Sequence, residues 1–204
     1  MIEPLVLAST SKWRAAMLNR LGLSFEQVAP DFDELSVQED TPEQDALVCA
    51  LGKARAAAKT LDTGWVIGSD QIAALDGVRL HKPANAEEAA ARLSELSGKW
   101  HALHTAVVLV SAKDGTEHTS MTTVRLKVKD LTPEQIDHYI QVDNPIGCAG
   151  AYMIEGLGIA LFEEIQGCDE SAIVGLPLMA LCGLLRKVGI EPLSASPSAL
   201  TGHG

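Results

Sequence analysis

The sequence is poor in basic residues. Its 204 residues include 16 Lys and Arg against 27 Asp and Glu, which gives a formal net charge of −11 at pH 7. Proteins that bind nucleic acid polymers neutralise many phosphates with basic side chains, so this balance argues against that class of protein. An anionic ligand would need cations gathered at one place, because the net charge of the chain repels it.

Cysteines are few, and no two are spaced like the ligands of a metal site or a redox pair. The four Cys lie at positions 49, 148, 168 and 182, without a C-x-x-C pair or a histidine at zinc-finger spacing. Cys49 and Cys182 lie in apolar helical patterns, where a buried, reduced thiol is expected. This cysteine usage predicts a reducing compartment, and we expect the protein in the cytoplasm.

Long hydrophobic runs are absent as well. The longest candidate, residues 173–185, contains Pro177 and falls short of the roughly 18 residues that a membrane helix needs. The first ten residues lack the basic region of a signal peptide. We therefore expect no membrane association and interpret residues 173–185 as a core helix. Apolar residues nevertheless make up 47% of the chain, which excludes intrinsic disorder.

Apolar patterns and turn signals predict one domain of mixed α/β fold. Strands are predicted at 4–8, 65–75, 101–111 and 119–129, with glycine-rich strands over 148–166. Helices are predicted at 12–21, 42–61, 86–97, 133–142 and 175–188. Because hairpins alternate with helical crossovers, a mixed sheet flanked by helices is favoured over a doubly wound parallel sheet. The domain is predicted to span 1–193, and 194–204 has the composition of a disordered tail.

The common nucleotide-binding and hydrolase motifs are also missing. The sequence has no G-x-x-x-x-G-K-[ST], no complete G-x-G-x-x-G, no H-E-x-x-H and no G-x-S-x-G. Candidate chemistry must therefore come from side chains at strand ends, helix starts and loops.

The segment Ser9-Thr10-Ser11-Lys12-Trp13-Arg14 follows a predicted strand and opens a predicted helix. Free backbone N–H groups, hydroxyls and two cations would then meet at one helix N-terminus, which suits an anion. The alternative is an ordinary helix cap on a solvated turn, with Trp13 in the core.

Asp70 lies inside an apolar strand, where a carboxylate without a partner is costly. It therefore requires a metal ion or a lysine. Lys82 lies across the Asp76-Gly77 hairpin. A three-residue loop would place Lys82 on the same face as Asp70, whereas a two-residue loop pairs positions 71 and 82. The alternative is a hairpin end where both side chains reach solvent.

Three more charged side chains have unusual surroundings. Glu34 lies in an acidic loop. If it lies close to Asp70 in the fold, the two carboxylates make a hard-oxygen site that suits Mg²⁺. The alternative is that the loop is a solvated turn. Lys53 borders an alanine-rich helix face and is either solvated or directed at a phosphate. Glu155, in a glycine-rich apolar segment, either contacts a polar ligand edge or faces solvent.

Taken together, these segments resemble the Maf-like family of nucleoside triphosphate pyrophosphatases, first associated with inhibition of septum formation. The resemblance covers residues 4–193 and rests on LASTSKWR, the FDE loop, GKA around Lys53, IGSDQ followed by LDG and HKP, LSGKWH, and CAGAYMIEGLG, in that order. Within the family, Trp13, Gln71 and Glu155 resemble the branch that acts on 7-methyl-GTP. The thymidine/uridine branch has Arg, Thr and Gln at these positions.

The resemblance implies an elongated mixed sheet flanked by helices, with two lobes around a deep cleft. It implies hydrolysis of a small nucleotide to a monophosphate and diphosphate with a divalent metal ion, Mg²⁺ or Mn²⁺. The implied site comprises Asp70 as proton acceptor, Ser9, Arg14, Lys53 and Lys82 as phosphate ligands, Glu34 and Asp70 as metal ligands, and Trp13, Gln71 and Glu155 as specificity residues. A homodimer is implied by the resemblance alone.

Two alternatives stay open on the sequence. One is a pyrophosphatase of the same fold that prefers dTTP or UTP, or has broad specificity. The other is a nucleotide-binding regulator of cell division with little catalysis. Three departures from the family pattern concern local geometry: Gly52 in place of Glu, His81 in place of Gly, and Ala106 in place of Gly.

Overall fold

The computed structural model describes residues 3–167 and 169–194. Its strands are β1 (Leu5–Ala8), β2 (Glu26–Val28), β3 (Trp65–Leu75), β4 (Val78–Leu80), β5 (Trp100–Ser111), β6 (Glu117–Val128) and β7 (Phe162–Gln166). Its helices are α1 (Lys12–Asn19), α2 (Pro42–Ala58), α3 (Ala86–Leu96), α4 (Pro133–Asp143), α5 (Ser171–Val174) and α6 (Leu178–Lys187). Within the described residues, no helix is both long and apolar enough to cross a membrane.

The strands form one seven-stranded sheet in the order β2-β1-β3-β5-β6-β7, with β4 paired to β3. Strand β1 runs parallel to β2 and β3, whereas β3, β5, β6 and β7 are antiparallel neighbours. The predicted mixed sheet flanked by helices is confirmed. The short strand β2 was not predicted, because its three residues, Glu-Gln-Val, carry no apolar pattern. The predicted tail lies outside the described residues, apart from Ser194, and the boundaries 1–193 stay a prediction.

Alternation along β3 sends neighbouring side chains to opposite faces of the sheet. Val66 and Ile72 pack in a core with Ala50 and Ala54 of α2. Ile67 packs on the other face, in a core that includes the leucines of α6. A third core joins α3 and α4 to the far ends of β3, β5 and β6. Asp70 consequently faces α2, and Gln71 faces the side of α5 and α6.

The segment 148–166 differs from its prediction as glycine-rich strands. Only Phe162–Gln166 is a strand, and two 3₁₀ turns, Ala149–Ala151 and Leu157–Leu161, precede it. Gly147, Gly150 and Ala151 have φ angles of 78°, 73° and 63°. The glycines make these left-handed angles accessible, so the chain turns repeatedly instead of extending.

The last predicted helix, 175–188, is also wrong in its first part. The chain forms the short helix α5, turns at Gly175 with φ 106°, and restarts as α6 with Pro177 as the capping residue. A left-handed glycine ends a helix readily, and proline cannot donate the hydrogen bond of a helix interior. The carbonyl group of Ala172 accepts from the backbone N–H of Gly175 at this break and also from side chains of other elements.

Helix α2 lies very close to β3 at Gly68. A Cβ atom at residue 68 would overlap the carbonyl oxygen of Ala50 and lie 2.9 Å from the Cβ of Ala54. The alanines of α2 and the missing side chain at Gly68 therefore allow the close packing that brings Lys53 beside Asp70.

We predict that Gly68→Ala destabilises the protein by about 1–3 kcal/mol, because the obstructing atom is backbone and cannot move aside cheaply. Gly183→Ala is the matched control, because Gly183 lies in α6 and a Cβ atom there would have open space around it. Alanine at this position should raise the free energy of unfolding by up to about 1 kcal/mol through its higher helix propensity. Thermal unfolding measures both. Equal melting temperatures for the two variants would contradict the close approach of α2.

Candidate active site

Two adjoining pockets open where β1 ends and α1 begins. The Trp13 pocket has a volume of about 250 Å³, and the Lys53 pocket about 280 Å³. The two pockets share Ser11, Arg14 and Lys82. The Trp13 pocket is also lined by Gln71 and Glu155, and the Lys53 pocket by Ser9 and Glu34. Together they form one groove.

Lys53 lies at the centre of an ion cluster at the floor of this groove. Its Nζ is 2.7 Å from Asp70 Oδ1 and 3.0 Å from Glu34 Oε1. Arg14 Nη2 is 3.9 Å from the same Asp70 oxygen. Lys53 and Asp70 are each only 3% exposed. The interpretation of Lys53 as a solvated side chain is therefore wrong, and the structure brings Glu34 and Asp70 together around one cation.

The direct partner of Asp70 is Lys53 rather than Lys82. Leu75 pairs with Val78, so the hairpin has a two-residue loop; the φ angles of its two residues, 50° and 78°, suit the Asp-Gly sequence. The three-residue register, which would have aligned Lys82 with Asp70, is wrong. Lys82 follows the end of β4 and lines both pockets from there.

Glu34 is charged in this setting. Burial by itself raises the pKa of the Glu34 carboxyl, but the charge and hydrogen bond of Lys53, with smaller contributions from Lys82 and Arg14, outweigh it. The net result is a pKa below the usual value. The carboxylate is therefore available at neutral pH to accept hydrogen bonds or bind a cation.

The start of α1 brings cations and hydroxyls to the groove. Ser11 is the N-cap, and its hydroxyl accepts a hydrogen bond from the backbone N–H of Arg14. The Arg14 guanidinium donates from Nη1 to Ser9 Oγ at 3.4 Å and from Nε to the carbonyl of Gly175 at 3.0 Å. The guanidinium is thus held between β1 and the α5–α6 turn.

Trp13, Gln71 and Glu155, the three predicted specificity residues, meet in one pocket. Trp13 is 38% exposed, so its interpretation as a core residue is wrong. The ammonium of Lys12 lies 4.8 Å from the centroid of its ring, which is within cation–π distance. Glu155 lies in a turn between the two 3₁₀ segments rather than at a strand end, and lines the pocket.

A family model described as Maf-like protein matches residues 4–188. The chain belongs to the Maf-like family. Curated relatives named 7-methyl-GTP pyrophosphatase include a protein of Polaromonas sp. (strain JS666), 43% identical over 92% of this chain and 86% of that protein. A second is from Xanthomonas campestris pv. campestris (strain 8004) and is 42% identical over 94% of this chain and 99% of that protein. A third is from Idiomarina loihiensis and is 39% identical over 95% of this chain and 99% of that protein.

The Maf-like site contains supporting residues that sequence reasoning missed. Phe32 lies over Gly52, where any Cβ would overlap its ring, so the departure at residue 52 makes room for this aromatic. Asp45, only 4% exposed, accepts from the Glu39 N–H at 2.8 Å and from Arg79 Nη1 at 3.0 Å. These contacts hold both ends of the loop that carries Glu34. In the sequence, only the unusual glycine at residue 52, next to Lys53, could have indicated this packing.

The carboxylates of this Maf-like site fit a hard divalent cation. Among residues 3–167 and 169–194, no group of three or more His, Cys, Asp and Glu side chains could hold a metal ion by itself. Glu34 and Asp70 contact the same Lys53 nitrogen, so their oxygens lie near each other. Mg²⁺ is commonly bound by one or two carboxylates together with substrate phosphates, so Glu34 and Asp70 are the residues that would hold such an ion.

The Trp13 pocket of this Maf-like protein is backed by a buried histidine. His101 Nε2 lies 2.7 Å from the hydroxyl of Tyr152, which lines the pocket. His101 Nδ1 is buried without a hydrogen-bond partner among the described residues. Burial lowers the pKa of the imidazole to about 4, whereas an unfolded histidine titrates near about 6.5. His101 is therefore neutral in the folded protein at physiological pH.

We predict a loss of stability as pH falls from about 6.5 towards about 4. In this range His101 binds a proton in the unfolded chain but stays neutral in the folded protein. The loss attributable to His101 should be of the order of 2–3 kcal/mol. Urea unfolding of the wild type and of His101→Gln across this range tests it, and the variant should show a flatter profile. His138→Gln, at an exposed position of α4, is the control; a His101→Gln profile as steep as the control's would disprove the assignment.

Proposed function

We propose that this Maf-like protein is a hydrolase acting on acid anhydrides, which cleaves 7-methyl-GTP to 7-methyl-GMP and diphosphate. The observation that carries the proposal is the continuous groove with two chemically different ends. The Lys53 pocket gathers cations and carboxylates, and the Trp13 pocket combines an indole with a carboxylate. A nucleoside triphosphate has the same division into a polyanionic tail and a flat base.

The cation end fits the triphosphate. Lys53, Lys82 and Arg14 provide positive charge, and Ser9 provides a hydroxyl. Preorganised cations around a transferring phosphoryl group stabilise the charge of its transition state. A divalent cation held by Glu34 and Asp70 would polarise phosphoryl oxygens and offset their charge.

Asp70 has the position of a general base. Its Oδ1 accepts a hydrogen bond from Lys53 Nζ at 2.7 Å, which orients the carboxylate inside the protein. Hydrolysis needs a group that orients a water molecule and takes its proton as the bond to phosphorus forms. Asp70 is the carboxylate most firmly fixed beside the phosphate ligands, so we assign it this role.

The base end fits a methylated guanine. Methylation at N7 makes guanine cationic, and a cation over an indole contributes about 1–2 kcal/mol when desolvated. Trp13 supplies such a face. The Glu155 carboxylate can accept hydrogen bonds from the N1–H and 2-amino groups of guanine, and its charge strengthens them. Arg in place of Trp13 would remove the indole face, and Gln in place of Glu155 would remove the charged acceptor.

The proposal also includes a cytoplasmic location, which rests on the cysteine usage, and a homodimer, which rests on the resemblance alone. Cys49 and Cys148 are free thiols, and burial raises the pKa of Cys49 to about 12, as befits an unreactive thiol. Light scattering on the purified chain and fractionation of source cells measure the two properties; a monomer or a secreted protein would contradict them.

We predict that Asp70→Asn lowers kcat by about 10²–10⁴, the usual contribution of general acid–base catalysis. Diphosphate release from 7-methyl-GTP with Mg²⁺ or Mn²⁺ measures it, and circular dichroism checks the fold. Asp62→Asn, at an exposed turn, is the control. An Asp70→Asn enzyme with near-normal turnover would remove Asp70 from the mechanism.

We predict that the wild type prefers 7-methyl-GTP to GTP, dTTP and UTP in kcat/KM. Glu155→Gln should reduce its preference for 7-methyl-GTP over UTP about tenfold, because a neutral acceptor replaces a charged one. A wild-type preference for dTTP or UTP would support the pyrimidine alternative. Nucleotide binding without diphosphate release would support the regulator.

A further inference from the structure

We propose that Thr105 is a positioning residue that, together with the carbonyl groups of Ala172 and Ile173, fixes the direction of the Gln71 amide, so that the Trp13 pocket presents a hydrogen-bond acceptor to the donor edge of a purine. The inference rests on the proposed function and deepens it. It concerns how the pocket distinguishes bases and assigns a role to a buried hydroxyl on β5.

Strand pairing places the two side chains together. Gln71 on β3 lies directly opposite Thr105 on β5, and both face α5. Thr105 is fully buried, and its hydroxyl donates to the carbonyl of Ala172 at 3.0 Å. A threonine hydroxyl has a single hydrogen to donate, so its oxygen can only accept from any further neighbour.

Three acceptors together decide which end of the Gln71 amide faces inward, and the Thr105 oxygen is one of them. Gln71 Nε2 lies 3.1 Å from Thr105 Oγ1, 2.7 Å from the carbonyl of Ala172 and 3.1 Å from the carbonyl of Ile173. All three neighbours are acceptors, so the NH₂ group, rather than the amide oxygen, must point towards them.

The two carbonyl acceptors come from the short helix α5. Helix α5 ends after one turn, and the carbonyls of a helix C-terminus need donors from elsewhere. Ser69 Oγ and Arg14 Nε supply donors to the carbonyl of Gly175, at 2.9 Å and 3.0 Å. The same short helix therefore fixes Arg14 at the cation end and Gln71 at the base end.

The ligand is left with the other end of the amide. Both N–H bonds of Gln71 are directed into the protein, and the side chain lines the Trp13 pocket. The group that Gln71 can offer a ligand is therefore its carbonyl oxygen, and Glu155 offers a second acceptor in the same pocket. Guanine presents adjacent donors, a ring N–H and a 2-amino group. Uracil presents one N–H between two carbonyl oxygens, which two acceptors would repel.

The decisive comparison is between 7-methyl-GTP and 7-methyl-ITP, which lacks only the 2-amino group. We expect the wild type to prefer 7-methyl-GTP in kcat/KM. Thr105→Val should reduce this preference by about five- to tenfold, the loss expected for one hydrogen bond to a neutral acceptor. Thr105→Ser keeps the hydroxyl and should retain the wild-type preference. Thr119→Val, at an exposed position of β6, is the matched control and should change nothing.

A double-mutant cycle separates positioning from a merely structural effect. Gln71→Met removes the amide at similar length and should lose the same preference. If Thr105 acts through Gln71, Thr105→Val added to Gln71→Met should leave the ratio unchanged, whatever it does to the melting temperature. An additional loss in the double variant would overturn the inference.

Failure of this inference is distinguishable from failure of the proposed function. A wild-type protein that hydrolyses neither methylated purine nucleotide contradicts the proposed function. A wild type without preference between the two, or a folded Thr105→Val variant with the wild-type ratio, overturns the role of Thr105 alone. Equal losses in Thr105→Ser and Thr105→Val would also overturn it, because the hydroxyl would then have no part in the effect.

Discussion

The ammonium group of Lys53 lies between the carboxylates of Asp70 and Glu34, and this contact brings α2, β3 and the Glu34 loop together at the cation end of the groove. Burying Lys53 and Asp70 removes both from water, and such a pair is tolerated only when the partners meet closely. Removing one partner of a buried pair typically costs about 3–5 kcal/mol. The pair is therefore better understood as a contact that orients Asp70 than as a source of stability.

The packing of α2 on β3 makes this contact available. A helix that crossed β3 over a larger side chain than Gly68 would lie farther out, and Lys53 could not reach Asp70 from it. The loop that carries Glu34 is anchored separately, by Phe32 over Gly52 and by the buried Asp45 with Arg79. The close packing of α2 on β3 thus fixes Asp70 beside Lys53, and the anchored loop separately fixes Glu34.

The net charge of −11 is compatible with a polyanionic substrate because the charges are distributed unevenly. Arg14, Lys53 and Lys82 are distant in sequence and line a single pocket. Within that pocket the acidic Glu34 is paired rather than free to repel a phosphate. The fold therefore concentrates a few cations locally, which is sufficient for one nucleotide and insufficient for a nucleic acid polymer.

Local patterns were enough to predict most elements, because strand alternation, helix caps and the Asp-Gly turn depend on neighbouring residues. They failed at 148–166 and 175–188, where glycines in left-handed conformations turn the chain and no short-range rule says which glycine will do so. The sequence by itself determined that Asp70 needs a cation and that Trp13, Gln71 and Glu155 carry the resemblance to one branch of the family. Only the tertiary structure decided that the cation is Lys53 and not Lys82, the lysine that the sequence suggested, since helix packing and hairpin register determine which lysine reaches Asp70. It also decided the direction of the Gln71 amide, because that depends on acceptors from a helix about a hundred residues away.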